Sequence, residues 1–247
     1  MTQTNKRFSL LDALRGFAII NVVIYHFLYD IYVVYGYNPK WPFLQPIQLW
    51  QALGAGLFIL IAGMVLHLDK HGWRRGWQLN LLGLFITAIT YVLMPEETIY
   101  YGILTFFGCA VWLGCLLRPL LRRVAPLTGI FLSMAGYLLT QQVDEGWIML
   151  GSMRIWQWPE ALYDNSLALL GFHDKRFASA DYVPLLPHIF VFFGGWFLYD
   201  FLKLHRRLNW LQHGDWQIFT LPGRHSLAVY LLHQPLLLGA CNVLLAE

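Results

Sequence analysis

The chain has 247 residues, 57% of them hydrophobic and only 13% charged, with 17 basic and 14 acidic side chains and a net charge of +3. Soluble domains average about 45–50% apolar and about 25% charged residues, so these side chains cannot cover a water-soluble fold of this size. The composition predicts an all-α, polytopic membrane helical bundle in a multi-pass cell (inner) membrane protein, with no nucleic-acid partner.

The 11 tryptophans, 13 tyrosines and 17 phenylalanines fit that class, because amphipathic rings collect where hydrocarbon meets headgroups. Trp41, Trp50, Trp73 and Trp77 stand at the ends of apolar runs. A polar tail, 1–6, precedes the first run. That run extends past signal-peptide length without a small-residue cleavage pattern, which predicts a retained span. A helix needs about 20 apolar residues to cross about 30 Å of hydrocarbon. Seven runs are candidates: 8–34, 50–68, 77–94, 101–117, 126–139, 186–204 and 226–245, the fifth being the shortest. The connection 140–185 carries three tryptophans and six acidic residues and has room for an interfacial or re-entrant helix.

Positive charge tests the count, because cytoplasmic loops retain Lys and Arg. Lys6 and Arg7 precede the first run. Lys70, Arg74 and Arg75 follow the second; Arg118, Arg122 and Arg123 follow the fourth; Lys203, Arg206, Arg207 and Arg224 follow the sixth. The alternate loops hold Lys40, then no basic residue beside Glu96 and Glu97, then Arg154, Lys175 and Arg176 among the six acids. This alternation predicts about seven spans with the N-terminus cytoplasmic and the C-terminus outside. Cys109, Cys115 and Cys241 lie in apolar runs without ligand spacing and read as packing residues. With no internal repeat and no soluble segment, 1–247 reads as a single transmembrane domain, and a homo-oligomer is compatible with it.

An ionisable group within a membrane helix costs about 2.5–3.5 kcal/mol on insertion scales, so it defaults to a functional or paired role. The first span carries four. At 100° per residue Asp12, Arg15, Ile19, Val22, His26 and Asp30 fall within an arc of about 80°, a face that the bundle interior must claim. Asp12 and Arg15 can pair at i,i+3, and His26 and Asp30 at i,i+4. Arg15 and His26 are separated by a rise of about 16 Å, half the hydrocarbon thickness. A carboxylate one turn from an imidazole holds its tautomer and raises its basicity, as a general base requires. A structural hydrogen bond is the alternative for such a pair, and spacing alone names no reaction.

The string Leu11-Asp12-Ala13-Leu14-Arg15-Gly16-Phe17-Ala18, followed by Val23-Ile24-Tyr25-His26-Phe27, resembles the first-helix signature of the transmembrane acyltransferase superfamily. Within it the chain resembles the heparan-alpha-glucosaminide N-acetyltransferase catalytic-domain family over nearly its whole length. Later landmarks are Phe58-Ile59-Leu60-Ile61-Ala62-Gly63, Tyr101-Gly102-Ile103-Leu104, Gly171-Phe172 and Ser179-Ala180-Asp181-Tyr182-Val183-Pro184-Leu185-Leu186-Pro187. Arg224-His225-Ser226-Leu227 and Tyr230-Leu231-Leu232-His233-Gln234-Pro235 complete the pattern. The resemblance implies a catalytic His26 and a donor-side Arg15. In the eukaryotic N-acetyltransferases an asparagine stands where His26 does, with a functional histidine just beyond.

Other positions follow from placement. Ser226, Tyr230 and His233 share a face of the last span, which Pro235 should kink; His233 is either a functional group or interhelical glue. Asp181, Tyr182 and His188 stand where the outer connection enters the sixth span, on the side of His26 by the charge count. They read as an acceptor rim or as solvated loop residues. Gly54, Gly56 and Gly63, with Gly194 and Gly195, read as close-packing positions. His67, His71, His205 and His213 read as interfacial residues, with no metal expected. The combined expectation is an acyltransferase that takes an acyl group, acetyl foremost, from cytoplasmic acyl-CoA to a sugar, glycolipid or small-molecule acceptor at the outer face. His26 and Asp30 are the expected catalytic pair, Arg15 and Asp12 the donor-binding pair, and Asp181, Tyr182, His188, Tyr230 and His233 the acceptor contacts. Tyr230, His233 and, less well placed, Asn21 are candidate oxyanion donors, and a covalent acetyl-imidazole is the alternative to direct transfer. The rival class is a transporter or channel using the same stripe as a proton relay.

Overall fold

A computed structural model describes residues 8–151, 153–164, 166–213 and 216–245. Lys6 and Arg7, used in the charge count, lie outside the described residues. Eight α-helices and one hairpin follow in the order α1 (Ser9–Tyr29), α2 (Gln45–Val65), α3 (Gly72–Leu93), α4 (Ile103–Leu121), α5 (Pro126–Thr140), β1 (Trp147–Leu150), β2 (Met153–Gln157), α6 (Leu185–Leu204), α7 (Gln217–Arg224) and α8 (Ser226–Leu245). Among the described residues, six helical stretches are long and apolar enough to cross a membrane: Ser9–Val34, Gln45–Leu68, Gly72–Leu93, Ile103–Leu121, Leu185–Leu204 and Ser226–Leu244. Each falls on an expected run. The seventh, α5, has 15 residues, rising about 22 Å and so short of the hydrocarbon thickness if upright. The protein is an all-α, polytopic membrane bundle.

Local chemistry sets several ends. Pro126 opens α5 at a position whose N–H has no intrahelical partner. The Asp69 carboxylate accepts from the His71 amide at 2.9 Å and seats the start of α3. The first span does not stop at Tyr29 but widens into a π-helical turn, Asp30–Val34, and ends before Gly36, whose φ is +79°. α8 runs through Pro235 to Leu245.

The chain forms two compact units, residues Met1–Ile61 with Leu202–Glu247, and residues Ala62–Phe201. In the first, α1 packs along α7 and α8. A methyl group on Gly16 would stand 1.7 Å from the Phe219 carbonyl oxygen, and one on Gly223 would stand 1.8 Å from that of Asp12, so two backbones touch where only glycine fits. In the second, Trp196, Phe106 and Phe192 are fully buried, and Gly63 lets the α2 backbone meet the Phe192 carbonyl of α6 at a would-be 1.8 Å. Gly63 therefore acts as the expected packing glycine. Gly54 and Gly56 do not: a methyl group on either meets nothing within 4 Å among the described residues.

The connection from α5 to α6 holds the antiparallel β1–β2 hairpin and the single turns Glu160–Leu162 and Ala168–Leu170. Among its described residues there is no α-helix, interfacial or re-entrant. Conversely α7, eight residues long with Pro222 inside, occupies a stretch that reads as loop because it is too short and too polar to register as an apolar run.

Candidate functional site

The polar stripe of α1 is engaged at both ends within the first unit. At its beginning Asp12 is 7% exposed. Arg15 Nη1 donates to Asp12 Oδ1 at 3.2 Å, and Arg224 Nε approaches Asp12 Oδ2 at 3.7 Å. Arg15 Nη1 also lies 3.4 Å from the Gly223 carbonyl in the last turn of α7, where terminal carbonyls favour a cation. One buried carboxylate between two guanidiniums leaves a net positive charge of one, suited to an anion. Sequence spacing identified Asp12 and Arg15 as partners. Arg224, more than 200 residues away, figures in the sequence as a basic loop residue and as part of a motif, not as a partner of Asp12.

At the other end His26 meets α8. The His26 and His233 rings stand 5.0 Å apart, centroid to centroid, at 61°, and the Tyr230 ring lies 5.4 Å from His233. His233 is 7% exposed, and its Nδ1 lies 2.5 Å from the Tyr230 carbonyl oxygen. A carbonyl only accepts, so Nδ1 carries the proton, and in the neutral ring Nε2 holds the lone pair. Tyr230, His233 and His26 are thus brought together.

Asp30, fully buried at the first residue of the π turn, accepts from Gln234 Nε2 through Oδ1 at 2.8 Å. One π turn beyond Asp30 and two turns along α8 from Gln234, Tyr35 Oη donates to Asn242 Oδ1 at 2.6 Å. These bonds clasp the end of α1 to α8. Gln234 is a residue that sequence reasoning quoted in a string without a role, since a glutamine on an apolar span gives no periodic signal.

An aromatic wall backs His26. The Tyr25 ring lies 5.7 Å from the His26 ring, 5.4 Å from Trp41 and 5.8 Å from Trp50. Trp50 Nε1 donates to Asn21 Oδ1 at 3.1 Å, and Asn21 Nδ2 donates to the Phe17 carbonyl at 2.8 Å. Asn21 thereby serves as a strut between α1 and α2, which leaves Tyr230 and His233 as the better oxyanion candidates.

Asp181, Tyr182 and His188 belong to the second unit. Their segment is stapled to the turn before α4: Ala180 N donates to the Thr98 carbonyl at 3.3 Å, Val183 N to that of Tyr101 at 3.1 Å, and Ser179 Oγ bridges the Tyr100 backbone. The Tyr182 hydroxyl donates to the Ala168 carbonyl at 2.5 Å, and its ring packs on His173 and Phe177. Burial pushes this phenol well above the usual tyrosine range, with the charges of Asp144 and Tyr101 adding to the shift. His188 Nδ1 donates to the Pro184 carbonyl at 3.0 Å. The Asp181 backbone and carboxylate border Gly102, at 3.3 and 3.9 Å from where a side chain would start.

His67, read from sequence as interfacial, is stacked on Trp196 at 3.6 Å and on Tyr199 at 4.6 Å, with Nε2 3.6 Å from the Asp200 carboxylate. Arg118 lies 5.8 Å from the centre of the Trp196 ring and caps α2 by donating to the Leu66 carbonyl at 3.2 Å. These side chains close the second unit's core.

Comparison with protein-family models matches residues 7–235 to the catalytic domain of heparan-alpha-glucosaminide N-acetyltransferase. No curated protein and no solved structure matches the chain. Since the match spans nearly the whole sequence, the chain belongs to the heparan-alpha-glucosaminide N-acetyltransferase catalytic family, and its class is that of a membrane acyltransferase.

Proposed function

We propose that this family member moves an acetyl group from cytoplasmic acyl-CoA to a hydroxyl or amine of a sugar or glycolipid at the outer face of the cell membrane, with His26 as general base. The carrying observation is the His26–His233 pair between α1 and α8, 5.0 Å between ring centres, with His26 on the same helix as the Asp12–Arg15 cluster that Arg224 completes. The net positive charge of that cluster suits the CoA phosphates, and the basic loops of the sequence add long-range attraction.

In the reaction the imidazole of His26 takes the proton of the acceptor O–H or N–H as its heteroatom attacks the thioester carbonyl. The carbon–oxygen or carbon–nitrogen bond forms, the carbon–sulfur bond breaks, and the CoA thiolate leaves with the proton that His26 acquired. Tyr230 and His233 are the candidates to steady the oxyanion. Asp30, whose carboxylate accepts from Gln234 Nε2 at 2.8 Å one turn beyond His26, is the candidate to offset the transient positive charge of the imidazole. Asp181, Tyr182 and His188 complete the reading as acceptor contacts, and direct transfer is preferred to an acetyl-imidazole intermediate.

The test offers purified protein in nanodiscs labelled acetyl-CoA with a panel of sugars, comparing wild type with His26→Ala and Asp30→Asn. Loss of the general base should lower the rate by about 10²–10⁴-fold. Undiminished transfer by His26→Ala removes the mechanism, and failure of the wild type to bind any CoA thioester moves the protein to the transporter class. A C-terminal reporter that reads as cytoplasmic removes the assigned orientation.

A further inference from the structure

The β1–β2 hairpin exposes apolar side chains that the reaction does not use. Leu150 is 60% exposed, Met153 69%, Ile155 55% and Trp156 60%. The register explains how they gather. Leu150 pairs with Met153 and Ile148 with Trp156, while Met149 pairs with Arg154 and Trp147 with Gln157. Cross-strand partners share a face and neighbours along a strand alternate. The irregularity between Ile148 and Met149 places Ile155 as the extra residue opposite that step, which keeps Met153 and Trp156 on one side. One face is therefore Ile148, Leu150, Met153 and Trp156, without a polar atom except the indole N–H. The other carries Arg154, whose guanidinium lies 4.9 Å from the centre of the Trp147 ring.

The element that delivers this hairpin is α5, on which β1 packs. A helix of 15 residues rises about 22 Å and leaves about 8 Å of a 30 Å hydrocarbon layer uncrossed. The six residues 141–146 between α5 and β1 are enough chain to cover that distance and bring the strands to the acyl–headgroup boundary. The lipid-facing surface of α5 is continuous with the hairpin, since Phe131, Leu132 and Met134 are 66%, 60% and 57% exposed, with Leu138 and Leu139 at 43% and 40% beside the exit. Depth is limited by the backbone: a two-stranded sheet has two edges of unpaired N–H and C=O groups, which hydrocarbon does not tolerate. The strands must stay among hydrated headgroups while their side chains reach down, as in interfacial anchors. Tryptophan at that level is at its preferred depth, and Arg154 on the opposite face meets headgroup phosphate.

We propose that the β1–β2 hairpin is an interfacial membrane anchor whose Leu150, Met153 and Trp156 side chains insert at the acyl–headgroup boundary of the leaflet holding the C-terminal end of α5. It fixes the start of the α5–α6 connection against the bilayer, and it stands independently of the acyl-transfer reading.

The experiment places a single cysteine at Met153 or, in a second variant, at Leu150, in full-length protein with Cys109, Cys115 and Cys241 replaced. Each is labelled with an environment-sensitive fluorophore and reconstituted in phosphatidylcholine–phosphatidylglycerol vesicles. Probes at Arg154 and Asp164 serve as references. The expected result is severalfold stronger quenching of the 153 and 150 probes by nitroxides near the top of the acyl chain than by nitroxides near its methyl end or by aqueous iodide, with the Asp164 probe showing the reverse. Equal iodide access at 153 and 164 overturns the proposal. Shielding from both quenchers that fades on dilution in lipid also overturns it, since the face would then be covered by a second copy.

Discussion

Replacing Gly16 with alanine tests whether the α1–α7 contact organises the donor end of the site. The added carbon would sit 1.7 Å from the Phe219 carbonyl oxygen, 2.6 Å from its carbon and 2.9 Å from the Gly223 nitrogen, where ordinary contact begins at 3.4 Å. Every obstacle is backbone, so no rotamer change relieves the clash, and α1 and α7 must part by about 1.7 Å to restore normal contact. Separation stretches the 3.4 Å Arg15–Gly223 interaction and the 3.7 Å Arg224–Asp12 pair beyond useful range, leaving the buried Asp12 carboxylate with less compensation. Overpacking costs about 1–3 kcal/mol, and a rigid backbone contact belongs at the upper end; the gain of about 1 kcal/mol in helix propensity from Gly to Ala does not offset it. In a domain of this size about 2 kcal/mol net lowers Tm by roughly 4–8 °C. The assay is thermal unfolding in detergent beside Gly54→Ala, where a methyl group meets nothing within 4 Å, together with acetyl-CoA affinity. Gly54→Ala should melt at or slightly above wild type, by up to the about 1 kcal/mol of helix propensity it gains. If Gly16→Ala melts with it and binds the donor normally, the close approach carries no weight and the reasoning fails.

Gln234→Met removes the donor that Asp30 Oδ1 accepts from at 2.8 Å, at a cost of about 1.5–3 kcal/mol for a bond to a charged group; Gln234→Glu should melt lower still at neutral pH, and equal Tm values for the two would argue against a buried Asp30 contact. Arg15→Ala removes the one nitrogen that meets both the Asp12 carboxylate and the Gly223 carbonyl and should weaken donor binding clearly, whereas Arg15→Lys, whose ammonium keeps the charge and three N–H donors, should weaken it less, read by isothermal titration. Arg224→Ala should reduce the salt dependence of donor binding while leaving kcat nearly unchanged, because it sits with Asp12 rather than His26. Tyr182→Phe deletes the hydroxyl bonded to the Ala168 carbonyl. Because the folded phenol titrates above the unfolded one, the stability it adds is fully present below about pH 10 and fades as pH rises past it. Alkaline melts should therefore show the wild-type advantage over Tyr182→Phe shrinking there.

What the sequence made legible follows from which forces leave a periodic trace. The spans are read within a few residues because hydrocarbon demands unbroken apolar runs, and the stripe from Asp12 to Asp30 is read because helical spacing alone decides which side chains share a face. Asn21, Gln234 and Arg224 carry their meaning in contacts across helices, and no local pattern distinguishes an amide that braces Trp50 from one that lines a site. The π turn at Asp30–Val34 has the same origin. Spacing puts Asp30 one turn from His26, yet what ties the carboxylate down at the start of the widened turn is the Gln234 donor on α8. The hairpin and α7 fell below detection for a different reason: strands of four and five residues and a helix of eight are too short to build a period, so their amphipathic character appears only once register or packing is known. The same logic bears on catalysis. His26 stands out in sequence because it is ionisable in an apolar run, whereas the role proposed for His233 rests on a proton held at Nδ1 by a backbone carbonyl. If that proton assignment sets the chemistry, His233→Asn, which can still donate to the Tyr230 carbonyl but lacks a basic nitrogen, should keep the fold and donor affinity of the wild type while losing turnover; retained turnover would reduce His233 to a packing group.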